Sequence, residues 1–302
     1  MSGDVVVALD IGGTKLAAAL VDADGTLLRT RRCPTPAGDA EQIWHAVAAL
    51  LADITEGSTA VPTAVAVSAA GPIDLARGTV SPINIGAWHD FPLVERLAET
   101  TRGPVHLAGD GVCMTLGESR RGSARGARHV LGMVVSTGVG GGLVLDGRPL
   151  HGRTGNAGHV GHVVVEPDGQ PCACGGRGCV ETVASGPNLV RWARAHGWSG
   201  GASARDLAAA ALGGDDVALR AFRRGGDALA RMIASVAAVC DLDLVVVGGG
   251  VADAGALLFD PLREALRSHT GLTFLRDLRV LPAELGAEAG LIGAAALAQR
   301  FG

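Results

Sequence analysis

Two stretches of this chain follow one plan, and that plan limits the fold more than any other feature. Residues 4–28, DVVVALDIGGTKLAAALVDADGTLL, read as an apolar strand, a glycine turn, a second apolar stretch and an Asp-Gly turn. Residues 129–150, HVLGMVVSTGVGGGLVLDGRPL, repeat it: strand, glycine-rich hairpin, strand, Asp-Gly turn. Two copies of a meander about 125 residues apart point to an internally duplicated fold. Strand–turn–strand units are common, so the pattern alone leaves coincidence open.

Helical and strand patterns fill the space between and after the copies. EQIWHAVAALLADI and VCMTLGESRRG read as helices and TAVAVSAAG as a strand. Helices from about 186 to 239 are broken by GWSGGAS and LGGDD, then comes the strand DLVVVGGG, and LGAEAGLIGAAALAQRF closes the chain as a helix. Strands alternating with helices define an α/β architecture. The 302 residues suit two moderate domains or one large unit, and 48% hydrophobic residues can bury a core. No low-complexity linker intervenes, so the domains should meet at a cleft. Aromatics are 3% with no tyrosine, which argues against a stacking surface for single-stranded nucleic acid. A net charge of −4 argues against a basic nucleic-acid footprint. MSGDVVVALDIGG has no basic leader, and no run approaches the roughly 18 apolar residues of a membrane span, so a cytoplasmic protein without membrane partners is expected.

Three glycine-rich turns each follow an apolar strand: DIGGTK (10–15), STGVGGG (136–142) and VVGGGV (246–251). Glycine lets the backbone come close to an anion and aim successive N–H groups at it. One such loop is weak evidence, because hairpins need glycine anyway. Three of them, with hydroxyls and a lysine, are better explained by one nucleotide. None is a GxxxxGK[ST] loop, and GVGGG does not fit GxGxxG. Asp10 stands at a strand end, where its carboxylate either holds Mg²⁺ beside the phosphates or caps the turn.

GNAGHVGH (155–162) is followed by PCACGGRGC. His162, Cys172, Cys174 and Cys179, spaced H-x9-C-x-C-x4-C, supply one imidazole and three thiolates, the closed ligand set of a structural zinc site. A reactive dithiol is the alternative. Cys33, Cys113 and Cys240 are scattered and read as small core residues. His45, His106, His129, His196 and His269 stand alone and read as surface or satisfied core residues, and RGSARGARH as a solvated loop. His89, near Asn84, is the one other histidine weighed for the cleft. His159 has no place in the metal set.

DIGGTKLAAAL, STGVGGG and GHVVVEPDGQPCACGGRGCVETVASG resemble the ROK family of sugar kinases and repressors, with similarity running on to AEAGLIGAAALAQ. The resemblance implies an actin-like, hexokinase-like α/β fold with internal duplication. Two domains, 1–112 and 113–285, would flank a cleft, with 286–302 returning to the first. It implies ATP phosphates on Gly12, Gly13, Thr14 and Lys15 and on Thr137, Gly138, Gly140 and Gly141, with the nucleoside near Gly248, Gly249 and Gly250. It implies Asp110, in VHLAGDGVCMTLGES, as the base that takes the sugar hydroxyl proton while Mg²⁺ balances phosphate charge. On the residues alone Asp110 also reads as the N-cap of its helix. Gly71, Asn84, Glu181 and the His159–His162 segment would meet the sugar, His162 doing so beside its metal role. Gly109 replaces the Asn usual before the base, and His159 replaces a usual Glu. The GH-x-GH pattern is similar to that of the family's bacterial N-acetylmannosamine kinases, which makes His159 a reader of the C2 substituent. Glucokinase, N-acetylglucosamine kinase, or a glucokinase drifted at this position remain alternatives. A repressor would carry a DNA-binding segment ahead of the first strand, and DVVVALD begins at residue 4, so a kinase is expected. The resemblance further implies a homodimer or tetramer.

Overall fold

The computed structural model describes residues 5–299. Its first half is built on β1 (Val6–Ile11), β2 (Lys15–Val21) and β3 (Leu27–Pro34), followed by α1 (Ala40–Thr55) and β4 (Ala64–Ala69). A small hairpin, β5 (Ile73–Asp74) with β6 (Thr79–Val80), leads to α2 (Leu93–Thr100), β7 (Val105–Gly109) and α3 (Asp110–Arg121). The large sheet runs β3-β2-β1-β4-β7. β1 and β4 lie in its middle and are buried on both faces, so they read as unbroken apolar runs rather than alternating ones. β3, LLRTRRCP, forms one edge, and its Arg29 and Arg31 reach the end of α1, at the Ile54 and Glu56 carbonyls and at Asp53. α1 begins with a capping box in which Asp39 and Gln42 bond each other's backbone N–H.

The second half repeats the arrangement. β8 (Val130–Val135), β9 (Val139–Leu145) and β10 (Arg148–Pro149) form the meander. α4 (Glu181–Ala184), α5 (Gly186–Ala195), α6 (Ala204–Leu212) and the long α7 (Asp216–Cys240) precede β11 (Leu244–Gly248). Then come α8 (Ala256–His269), β12 (Arg279–Pro282) and α9 (Ala289–Ala298). The sheet order β10-β9-β8-β11-β12 matches the first sheet strand for strand: meander reversed, then two parallel crossover strands. The repeated plan in the sequence is therefore a duplicated fold. α2 and α8 have no counterpart in the sequence pattern; in α8 the interior Pro261 looks like a helix breaker.

α3 and α9 cross between the sheets and share one core with both, from Val6 and Ala66 to Val130 and Val246. Glycine makes the crossing possible. A Cβ on Gly117 would lie 2.2 Å from the Ala289 carbonyl oxygen, and one on Gly293 would lie 1.6 Å from that of Cys113. Glu118 of α3 is wholly buried, and its carboxylate accepts the N–H groups of Ser123 (2.9 Å), Glu284 (3.1 Å) and Leu285 (2.9 Å). No helix among the described residues is long and apolar enough to cross a membrane.

Candidate active site

The parallel register places the chemistry at one end of the first sheet. Asp10 on β1 pairs with Ser68 on β4, and the next residue of β4, Ala69, pairs with Gly109 on β7. Asp10 does not cap the turn that follows it: Oδ1 accepts from the Ser68 hydroxyl at 2.7 Å. Burial raises the Asp10 pKa, against the Ser68 hydrogen bond and the charges of Lys15 and Arg32. The turn after β1 is closed by Gly12 N–H donating to the Lys15 carbonyl (3.1 Å). Thr35, just past β3, holds it from outside, its hydroxyl donating to the Gly12 carbonyl (2.6 Å) and its N–H to that of Thr14 (3.1 Å). Gly13 has no room for a side chain, since a Cβ there would sit 2.6 Å from both Cγ and the carbonyl oxygen of Asn84. The first glycine turn and the exposed Asn84 are thus in direct contact.

The second and third turns lie side by side. Ser136 N–H donates to the Gly138 carbonyl (2.8 Å), and the Ser136 carbonyl accepts from Gly186 N–H at the start of α5 (2.8 Å). Val251 N–H, after the third turn, donates to the Val135 carbonyl (3.0 Å). Gly249, at φ +94°, would press a Cβ to 2.5 Å from that same oxygen. Gly140 is exposed with nothing near its Cβ position, so its backbone is open to a ligand. Glu181 sits against this loop: its Oε2 accepts Val139 N–H at 2.8 Å.

Asp110 is the first residue of α3, and Gly109 is its N-cap, with extended backbone (φ −65°, ψ 150°). The N-cap reading of Asp110 is therefore off by one position. Its Oδ1 accepts Gly111 N–H at 2.7 Å. Burial raises its pKa, the Gly111 bond opposes this, and the charge of Asp10 adds to the rise. A buried carboxylate held at a helix N-terminus with a raised pKa is suited to accept a proton near neutral pH. At Gly109 a Cβ would meet nothing within 4 Å, so no neighbour fills the space an asparagine would take.

The segment carrying the two histidines packs against β9 through glycines. A Cβ on Gly158 would lie 2.7 Å from the Gly142 Cα, and one on Gly161 only 1.8 Å from the Val139 carbonyl oxygen. This brings His159 opposite Gly71, where a Cβ would be 3.4 Å from its Nε2. Burial of the ring and, after it, the nearby His162 hold the His159 pKa below the usual histidine value. The His89 side chain is 89% exposed and lies beside Asp90.

His162, Cys172, Cys174 and Cys179 come together with all four ligand atoms within 4.8 Å of one another. Cys172 Sγ is 3.7 Å from His162 Nδ1, and Cys174 Sγ is 3.7 Å from Cys179 Sγ. Thiolates about 2.3 Å from a tetrahedral ion would stand roughly 3.8 Å apart, so the donor set fits a divalent metal. The knuckle needs Gly178, whose Cβ would fall 1.6 Å from the Glu166 carbonyl oxygen. Cys113 is buried, and Cys33 and Cys240 are half-buried.

Several neighbours of the site carry no local sequence signal. Ser68 reaches it from the adjacent strand, Thr35 from the residue after β3, and Asn156 from the second half of the fold, where its side chain bonds Ile73.

A family model described as "ROK family" matches residues 6–301. The N-acetylmannosamine kinase of Shigella flexneri is 39% identical over 296 residues, covering 97% of this chain and 98% of the relative. The glucokinase of Thermotoga maritima is 36% identical over 309 residues, covering 97% and 96%. Among solved structures, the ROK family glucokinase of Streptomyces griseus, in complex with glucose and AMPPNP, is similar with 37% identity and a TM-score of 0.81, over 97% of this chain and 98% of that one. Matched from end to end in sequence and in its duplicated sheets, this chain belongs to the ROK family.

Proposed function

We propose that this ROK-family sugar kinase transfers the γ-phosphoryl group of ATP to the 6-hydroxyl of N-acetylmannosamine. One observation carries the sugar identity: the His159 imidazole stands opposite Gly71, where a neutral ring can both donate and accept a hydrogen bond. A carboxylate at that position could only accept. The relative from Shigella flexneri, named for this sugar, is as similar as any glucokinase cited above.

Asp110 takes the proton of the sugar O6 as the O6–Pγ bond forms and the bond from Pγ to the β-phosphate oxygen breaks, leaving ADP and the 6-phosphate. Backbone N–H groups of Gly13 and Thr14 and of Thr137, Gly138, Gly140 and Gly141 hold the phosphates, with Gly12 shaping the first turn through its bond to the Lys15 carbonyl, Lys15 alongside and the nucleoside near Gly248–Gly250. Asn84 and Gly71 hold the sugar, and Glu181, already bonded to the second phosphate turn, ties that turn to it. Asp10, with Ser68 on one oxygen only, offers the other to Mg²⁺, which when bound offsets charge developing on the phosphates. His162, Cys172, Cys174 and Cys179 form a closed set for zinc, which when bound cross-links the knuckle to the His159 segment. The same reading gives a cleft between residues 1–112 and 113–285, with 286–302 returning to the first. It describes a cytoplasmic homodimer or tetramer acting on a free sugar.

An ADP-coupled assay with Mg-ATP, comparing N-acetylmannosamine, N-acetylglucosamine, glucose and mannose by kcat/KM, tests the proposal, with Asp110→Asn as control. The expected result is a preference for N-acetylmannosamine that His159→Glu narrows. A preference for glucose would make the protein a glucokinase with an altered pocket. No turnover with any of the four would return attention to the amide missing at Gly109.

A further inference from the structure

The loop that carries His159 is fastened to the opposite half of the molecule by a side chain and a backbone pair. Oδ1 of Asn156 accepts the Ile73 N–H at 3.0 Å, and Nδ2 donates to the carbonyl of the same Ile73 at 2.7 Å. A side-chain amide that answers both backbone groups of one residue does what a neighbouring strand would do. The backbone continues the pairing, with Leu75 N–H donating to the Thr154 carbonyl at 3.1 Å, and Nδ2 also reaches the Thr154 hydroxyl at 3.0 Å. Gly155, at φ +103°, lies so close that a Cβ would fall 2.7 Å from Leu75 Cγ and 3.0 Å from Ile73 Cδ1. Segment 154–156 is thus laid along β5 of the other half, although it leaves from β10 of its own.

Asn156 and His159 also share a focus. The point where a Gly71 Cβ would stand is 3.4 Å from His159 Nε2 and 3.6 Å from Asn156 Oδ1. Only Ala157 and Gly158 separate the two residues in the chain, and Ala157 N–H is tied back to the His151 carbonyl at 3.1 Å. A slip of Asn156 against Ile73 therefore has little slack to absorb it before it reaches the imidazole.

We propose that Asn156 is a specificity-positioning residue. By pairing with Ile73 it fixes His159 relative to Gly71, so the histidine belongs, for positioning, to the half that holds the sugar rather than to the half from which its strand comes. This rests on His159 facing the sugar substituent, as proposed above.

The test is a double-mutant cycle on the intact, metal-loaded enzyme: wild type, Asn156→Ala, His159→Ala and the double variant. KM and kcat are measured for the preferred sugar and for ATP, together with the kcat/KM ratio between a 2-acetamido and a 2-hydroxy hexose. Two lost hydrogen bonds predict a rise in sugar KM on the order of 10- to 100-fold for Asn156→Ala, with the KM for ATP changed by less than about twofold. The 2-acetamido to 2-hydroxy ratio should fall towards that of His159→Ala. Adding Asn156→Ala to His159→Ala should then cost little more. Asn156→Asp keeps the volume and the acceptor for Ile73 N–H but sets a carboxylate against the Ile73 carbonyl. It should raise sugar KM in the same direction, and it serves if the alanine variant folds poorly. Additive losses in the cycle would overturn the proposal, as would equal losses for ATP and sugar, or a lowered melting temperature with an unchanged sugar ratio. Should the wild type prefer a 2-hydroxy sugar, the assignment to N-acetylmannosamine fails. The cycle run on that sugar still decides whether Asn156 acts through His159.

Discussion

Gly13→Ala is the sharpest available perturbation, because Gly13 is where the first glycine turn touches Asn84. The new Cβ would lie 2.6 Å from Asn84 Cγ and carbonyl oxygen and 2.7 Å from its Cβ. Ordinary contact begins at 3.4 Å, so the two loops must part by about 0.8 Å. Rotating a side chain cannot relieve the clash, since one obstructing atom is backbone. Displacement of reacting groups by about 1 Å can cost roughly 100-fold in rate, and overpacking of this kind roughly 1–3 kcal/mol in stability. Gly12→Ala is the natural comparison: its Cβ meets only the Lys15 carbonyl oxygen, at 3.3 Å, which a shift of a few tenths of an ångström relieves. Steady-state kinetics with each substrate varied in turn should show Gly13→Ala raising KM for both ATP and sugar and lowering kcat. Gly12→Ala should be milder and act mainly on ATP. If Gly13→Ala is no worse than Gly12→Ala, or leaves the sugar KM untouched, the reasoning from this contact is wrong.

Asp110→Asn should lower kcat by about 10²–10⁴-fold with sugar KM little changed, as read by the same assay. Because burial and Asp10 raise the Asp110 pKa, and the base must be ionised to act, kcat/KM should fall as pH drops through a value above the ordinary carboxylate pKa of about 3.9. That acid limb should be missing from the residual activity of Asp110→Asn. Metal analysis should find one zinc per chain, which a chelator or Cys174→Ser removes along with some thermal stability, whereas Cys240→Ser keeps it. Glu118→Ala strands three backbone N–H groups beside the helix crossing and should cost about 3 kcal/mol in denaturant unfolding, with Glu118→Gln costing less.

Features that depend on short-range chemistry were open to reading from the residues. Glycine clusters after apolar runs mark turns that only glycine can make, and Gly249 and Gly13 show the reason in the structure. His162, Cys172, Cys174 and Cys179 fall within one short stretch, so spacing alone brings their candidate donor atoms together. What depends on strand pairing was hidden. Ser68 meets Asp10 because β4 lies beside β1 in register, and Thr35 meets Gly12 because β3 returns along β2. Asn156 finds Ile73 across the cleft, and nothing in GNAGHVGH announces it. The sequence suggests Asp110 as the cap of α3, but capping is decided by backbone angles, and Gly109 takes the extended conformation before Asp110 turns helical. Glu181 bonds Val139 N–H, a contact that only the packing of α4 on the β8–β9 hairpin could reveal.

The glycines inside the helices bear on how this enzyme can be improved. Replacing a helical glycine by alanine is a common route to a more heat-resistant variant, gaining up to about 1 kcal/mol in exposed positions. In α3 and α9 that exchange changes sign. Cβ atoms at Gly117 and Gly293 would drive into carbonyl oxygens of the opposing helix, and one at Gly290 would come within 2.9 Å of Asp10 Oδ1. Gly226 in α7 meets the backbone of α8 in the same way, at 2.9 Å from Leu262 N. A consensus or helix-propensity library that treats these four positions as free choices would select against itself. Thermal hardening has to come instead from open glycines such as Gly86 or Gly271, where a Cβ meets nothing within 4 Å and φ lies outside the left-handed range.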